Sequence, residues 1–172
     1  MTAPITDSLR AKLWEQIELT RKLIELLPED LGWRPGGPQR AMDVGHLLGH
    51  LLECLSGFCA VFHAAFPDQM AHVLRLKDLP VNHFCGKDEA QQRIEEYSAA
   101  IAEGFAICSD ADLERRIPSV FVPHGERLVT LLLGNLEHFV NHKYQLFFYL
   151  KLMGVPVATR DLYHFREQAA AE

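Results

Sequence analysis

His138 and His142 stand four residues apart in the run Asn135-Leu136-Glu137-His138-Phe139-Val140-Asn141-His142-Lys143-Tyr144-Gln145-Leu146. In a helix that spacing puts both imidazoles on one face, one turn apart. Two imidazoles so placed can share one metal ion. His46 and His50 form a second pair with the same spacing. A third imidazole from a neighbouring helix would complete a three-nitrogen set with an open position for water or substrate, as catalytic sites have. Spacing alone does not choose between His46 and His50. It also fits histidines that are simply hydrogen-bonded. A buried polar group without a partner costs about 1–3 kcal/mol, and Asn135, Gln145 and Tyr149 share a stripe with His138 and His142. A di-iron centre would need Glu-x-x-His motifs. The residues three before His138 and His142 are Asn135 and Phe139, which argues against it. His63, His72, His83, His124 and His164 have no partner at a telling spacing.

Four segments with helical periodicity would position these residues. Leu9, Leu13, Ile17, Ile24 and Leu27, with Thr20 filling the gap, predict helix 1 over Asp7 to Leu27, starting at Thr6 and Asp7 and stopped by Pro28. Residues 28–38 hold three prolines and three glycines and read as a turn, with Trp33 plugging one end of a core. Helix 2 is expected from Arg40 to Ala65, burying Val44, Leu47, Leu48, Leu51, Leu55, Phe58 and Phe62. Gly45, Gly49 and Gly57 each cost it roughly 1 kcal/mol against Ala, and such glycines mark close approach of another backbone or a ligand. Helix 3 is expected over Lys87 to Cys108, opening on Asp88 and Glu89, burying Ile94, Tyr97, Ile101, Phe105 and Cys108, and exposing Arg93, Glu95 and Glu96.

Helix 4 is expected over Arg127 to Met153, closed by Gly154 and Pro156. Its stripe Leu131, Asn135, His138, His142, Gln145 and Tyr149 reads as inward. Leu132, Leu136, Val140, Phe147 and Phe148 cover much of the remainder. A helix apolar nearly all round is expected to be buried nearly all round, and a bundle covers only one side, so the surplus face predicts a subunit interface. Between helices 2 and 3 lies a connection of about twenty residues, anchored by Leu74, Leu76, Leu79 and Val81 and long enough to cross a bundle and leave the two helices parallel. Residues 110–126 read as an irregular link with a short extended piece over 117–123. Tyr163 and Phe165 are expected to tuck against the body, and residues 169–172 to fray.

With 172 residues and 48% hydrophobic composition, the chain reads as one all-α domain able to bury a core unaided. The acidic residues number 23 against 17 basic, a net charge of −6 with no Lys/Arg block, which argues against nucleic acid and anionic membranes as partners. Helix 4 is interrupted by polar residues, and the N-terminus leads into a charged amphipathic segment, so a cytoplasmic protein is expected. Cys54, Cys59, Cys85 and Cys108 lack CxxC spacing and read as reduced core thiols, with one of them as a reactive group left open.

Two stretches resemble the DinB/YfiT-like four-helix-bundle family, which includes thiol-dependent S-transferases. The first is Trp33-Arg34-Pro35 followed by Met42 to Glu53, similar to the family's tryptophan turn and its His-Leu-x-Glu-like element. The second runs from Gly125-Glu126-Arg127 through His138-Phe139-Val140-Asn141-His142-Lys143-Tyr144-Gln145-Leu146 to Tyr149-Leu150-Lys151 and Gly154-Val155-Pro156. It is similar to the family's H-x-x-x-H-(basic)-x-Q-L segment and its finish. The resemblance implies an up-down-down-up bundle, a divalent metal, nickel or zinc, held by His50, His138 and His142, and often a homodimer. His50 is favoured over His46 because it precedes Leu51-Leu52-Glu53. Phe139 and Lys143 stand where the family more often has a histidine or acidic residue and an arginine.

The function this implies is a divalent-metal-dependent enzyme, a thiol S-transferase acting on a small-molecule thiol and an electrophile. Glu53, Gln145 and Tyr149 are the candidates for orienting ligands or substrate. A metal-dependent hydrolase using the same site, and a non-catalytic metal-binding or stress-response protein, are the other two readings.

Overall fold

The most apolar helix takes the middle of the structure. The structure is a computed structural model and describes residues 4–36, 41–118 and 122–164. Helix α1 spans Ile5–Glu25, α2 Val44–Ala65, α3 Lys87–Ile107 and α4 Leu128–Leu152. Each lies within a few residues of its expected bounds. The expected start of α2 at Arg40, and Phe165 and residues 169–172, lie outside the described residues. α2 packs against both α3 and α4, and α1 closes the ring between them. Its Leu47, Leu48, Leu51, Leu52, Leu55 and Phe62 are completely buried. α2 is also long and apolar enough to cross a membrane, alone in this among the described residues. Its burial against two neighbours accounts for that composition.

Side-chain pairs fix the directions. Arg21 near the end of α1 bonds Gln91 near the start of α3, and Thr6 at the start of α1 bonds Asp110 just past the end of α3, so these two run antiparallel. The Cys59 thiol reaches the Tyr97 carbonyl, and the Phe62 ring lies against Gly104, so α2 and α3 run parallel. Tyr149 bonds the Met42 carbonyl while Gly57 faces Asn135, so α2 and α4 run antiparallel. The result is the expected up-down-down-up four-helix bundle. The long connection does cross it, and includes a 3-10 helix over Ala71–Asp78. The link before α4 forms a two-residue hairpin, β1 Arg116–Ile117 paired antiparallel with β2 Glu126–Arg127. Residues 119–121 of the expected extended piece lie outside the described residues.

The caps depart from expectation. Thr6 and Asp7 do not start α1. Its first amides, Ile5 N–H and Thr6 N–H, donate instead to the Asp110 carboxylate across the bundle end. α2 starts at an Asp43 cap whose carboxylate accepts from His46 N–H, and Gly45 N–H donates to the Leu31 carbonyl. All four cysteines are free and buried.

Two expectations are corrected. Arg93 is buried, not exposed: its guanidinium donates to the Tyr97 hydroxyl and to the Pro80 carbonyl of the crossover, bonds that require it to lie inward. The second is the inward stripe of α4, whose outer side leaves Phe148 59% exposed in the single chain, with Leu133 and Leu152 beside it. The deep stripe of α4 is Leu132, Phe139, Lys143, Leu146 and Leu150. His138 and His142 lie on its flank, half-buried at the seam with α2.

Candidate metal centre

Antiparallel packing of α2 on α4 brings His50 against the HxxxH pair. The His50 ring centroid lies 5.1 Å from that of His138 and 4.2 Å from that of His142, and His138 and His142 are 4.9 Å apart. His50 Nε2 and His138 Nε2 face each other at 3.3 Å. His46 is not in this group. Its ring nitrogen is taken by the Asp43 cap at 2.8 Å and its ring lies edge-on to Phe84. Of the two α2 histidines, His50 is the one whose ring meets the α4 pair.

Hydrogen bonds assign the ring protons. Tyr149 Oη donates to the Met42 carbonyl at 3.0 Å, so that oxygen accepts from Gln145 Nε2 at 2.9 Å. Gln145 therefore turns Oε1 toward His142, whose Nδ1–H donates to it at 2.9 Å. His142 Nε2 is left as a free lone pair. His50 Nδ1 faces two acceptors, Asn82 Oδ1 at 2.5 Å and Glu53 Oε2 at 2.9 Å. In the neutral ring Nδ1 therefore carries the proton, and His50 Nε2 accepts from His138 Nε2 at 3.3 Å. The Nε2 atoms of His50 and His142, each with an acceptor behind its ring, lie together with that of His138 within reach of one cation. Burial holds the His142 pKa below the ordinary histidine value, and the neighbouring His50 and His138 push it further down, against the Gln145 bond. The ring is neutral near pH 7, the form that ligates.

Glu53 touches His50, and Gln145 and Tyr149 form a bonded chain behind His142. Asn135, also considered as a partner, does not: its Nδ2 is buried with no partner among the described residues, and its Oδ1 faces Gly57. Two residues were missed. Cys54, one turn beyond His50, brings its sulfur within 4.8 Å of the histidine ligand atoms, so a His/Cys group that could hold a metal ion is present. Burial, with the Glu53 charge adding, pushes its thiol up to about 12, so without a metal it stays protonated. The i, i+4 spacing of Cys54 from His50 was the available signal. Asn82 comes from the crossover, 32 residues from His50, and no local spacing points to it.

Beside His142 the seam opens into a cleft lined by Met42, Asp43, His46, Asn82, Gln145 and Tyr149. Trp33 stacks edge-on to Tyr149 at 5.4 Å and closes this end, as expected. On the opposite side of α4, Lys143 is buried and donates to Gln16 Oε1 and to the Leu162 carbonyl. It faces α1 and the tail, so it does not line the histidine cluster. Tyr163 lies over it, its hydroxyl against that of Tyr144.

No protein-family description and no curated protein matches this sequence. A search of solved structures finds a DinB-like protein, YjoA from Bacillus subtilis, at a TM-score of 0.64 and 18% sequence identity, covering 87% of this chain and 96% of that one. At that identity the likeness concerns the fold: this chain has the DinB-like four-helix-bundle fold.

Proposed function

We propose that the chain is a divalent-metal protein of the cytoplasm in which His50, His138 and His142 are the ligands, and that it transfers a small-molecule thiol to an electrophile. The observation that supports the metal is the grouping of the three imidazoles, with His50 and His142 holding Nδ1–H outward and turning Nε2 toward the cluster. Imidazole donors suit zinc and nickel. A divalent ion supplies Lewis acidity, which lowers the pKa of a thiol or water that reaches it. The chain's own residues supply the rest. Gln145 and Tyr149 hold His142, Glu53 and Asn82 hold His50, and the adjoining cleft admits a small molecule next to His142. Cys54 adds a buried thiol beside the three imidazoles. The same reading includes a homodimer through the outer face of α4.

The test is metal content of untagged protein by mass spectrometry. Wild type should hold about one ion per chain, and His50→Ala, His138→Ala and His142→Ala should each lose it. Full occupancy in all three variants would sink the site. A panel of low-molecular-weight thiols with a chromogenic electrophile then tests the transfer, and an ester and amide panel tests the hydrolase reading.

A further inference from the structure

The crossover segment 81–86 runs along one side of α2. Two of its amides bond to carbonyls of that helix: Asn82 N–H to Gly49 O at 3.2 Å and Cys85 N–H to Gly45 O at 3.0 Å. Contact this close requires glycine. A Cβ on Gly49 would sit 2.1 Å from the His83 carbonyl oxygen, and one on Gly45 would sit 2.5 Å from the Phe84 ring. The far side of the segment is tied to α3. His83 Nε2 bonds Glu89 Oε1 at 2.8 Å, and buried Arg93 bonds the Pro80 carbonyl, Glu89 and the Tyr97 hydroxyl.

Asn82, at the centre of these ties, has φ +56°, the one non-glycine residue with positive φ among the described residues. Asn tolerates that region better than most residues, but strained backbone persists only where its surroundings enforce it, and such positions cluster at functional sites. Here the conformation delivers Oδ1 to His50 Nδ1.

We infer that Asn82 is a positioning residue: from the α2–α3 crossover it fixes the tautomer and orientation of His50, and so sets how tightly the three-histidine site holds its ion. This rests on the metal reading above. Glu53 reaches the same nitrogen from a side chain 40% exposed, held by no other hydrogen bond or ion pair described for it. Asn82 is held by its own backbone, so it is the better-fixed acceptor. Residues of this kind, behind a ligating histidine, typically change metal affinity 10–100-fold when removed.

The decisive variant is Asn82→Gly, which keeps the left-handed backbone and removes only the acceptor. Zinc affinity by chelator competition should fall roughly 10-fold or more, with no loss of thermal stability. Asn82→Asp, which restores an oxygen at the same place, should recover most of the affinity. Glu53→Ala should cost less than Asn82→Gly. A merely structural role for Asn82 would not move a second readout. In metal-free protein, long-range 1H–15N spectra should show His50 as a single Nδ1–H tautomer, assigned by its absence in His50→Ala, and as a mixture in Asn82→Gly. Unchanged zinc affinity together with an unchanged His50 tautomer in Asn82→Gly would overturn the inference. If wild type binds no zinc at all, the metal reading fails and the tautomer spectra still decide the role of Asn82.

Discussion

At the residue scale, the site depends on which nitrogen of each imidazole carries a proton. That is settled by acceptors behind the rings. Gln145 is the most informative, because the Tyr149 to Met42 bond fixes which end of its amide faces His142. Gln145→Leu keeps the volume and removes the acceptor, so zinc affinity by chelator competition should fall about 10-fold or more, with the Tyr149 hydroxyl losing a donor. An unchanged affinity would show that His142 does not need a fixed tautomer. His138, His142 and Gln145 were legible in sequence because i, i+3 and i, i+4 offsets on one helix are local geometry. Asn82 was not. Its partner is remote, and nothing in Pro80-Val81-Asn82-His83 reveals a positive φ. Arg93 misled for a related reason: a charged residue at a helical surface offset reads as exposed until the carbonyl that needs it is in view.

At the element scale, the four helices were readable from periodicity, since a stripe of apolar side chains is a local record of burial. What periodicity could not say was which stripe of α4 lies deepest. The polar site residues share a row, and that row sits on the flank of the core, where a cleft reaches it. The glycines of α2 carried the clearest unexplained signal, a cost in helix propensity with no visible return. The docked crossover explains Gly45 and Gly49, and Asn135 packing explains Gly57, where a Cβ would stand 3.0 Å from Oδ1. Gly49→Ala drives a methyl into backbone rather than into a movable side chain. Its unfolding free energy in urea should fall by about 3 kcal/mol or more, at the upper end of overpacking costs. A loss under about 1 kcal/mol would mean that the crossover shifts without penalty.

At the scale of the whole molecule, the length of the second connection was enough to anticipate parallel α2 and α3, because only a long link returns the chain to the same end of a bundle. The outer face of α4 is the one a single chain leaves uncovered. Leu133, Phe148 and Leu152 stand open, while Glu137, Asn141 and Lys151 interrupt them. If that face joins two copies, as proposed, sedimentation should give a dimer at micromolar concentration. Leu133→Glu combined with Phe148→Glu should then give a monomer of unchanged helicity. A wild-type monomer would refute the interface and leave the site, which one chain completes, untouched.

The separation of the histidines has a consequence for how the molecule assembles. His50 and His138 lie 88 positions apart, and the residue that steadies His50 arrives only once the crossover is laid along α2. The loop-closure entropy for all of this must be met before the imidazoles can meet. The cluster therefore exists only where α2, α4 and the crossover are docked together. An ion that bound only this docked arrangement, as proposed, would tighten the fold by mass action.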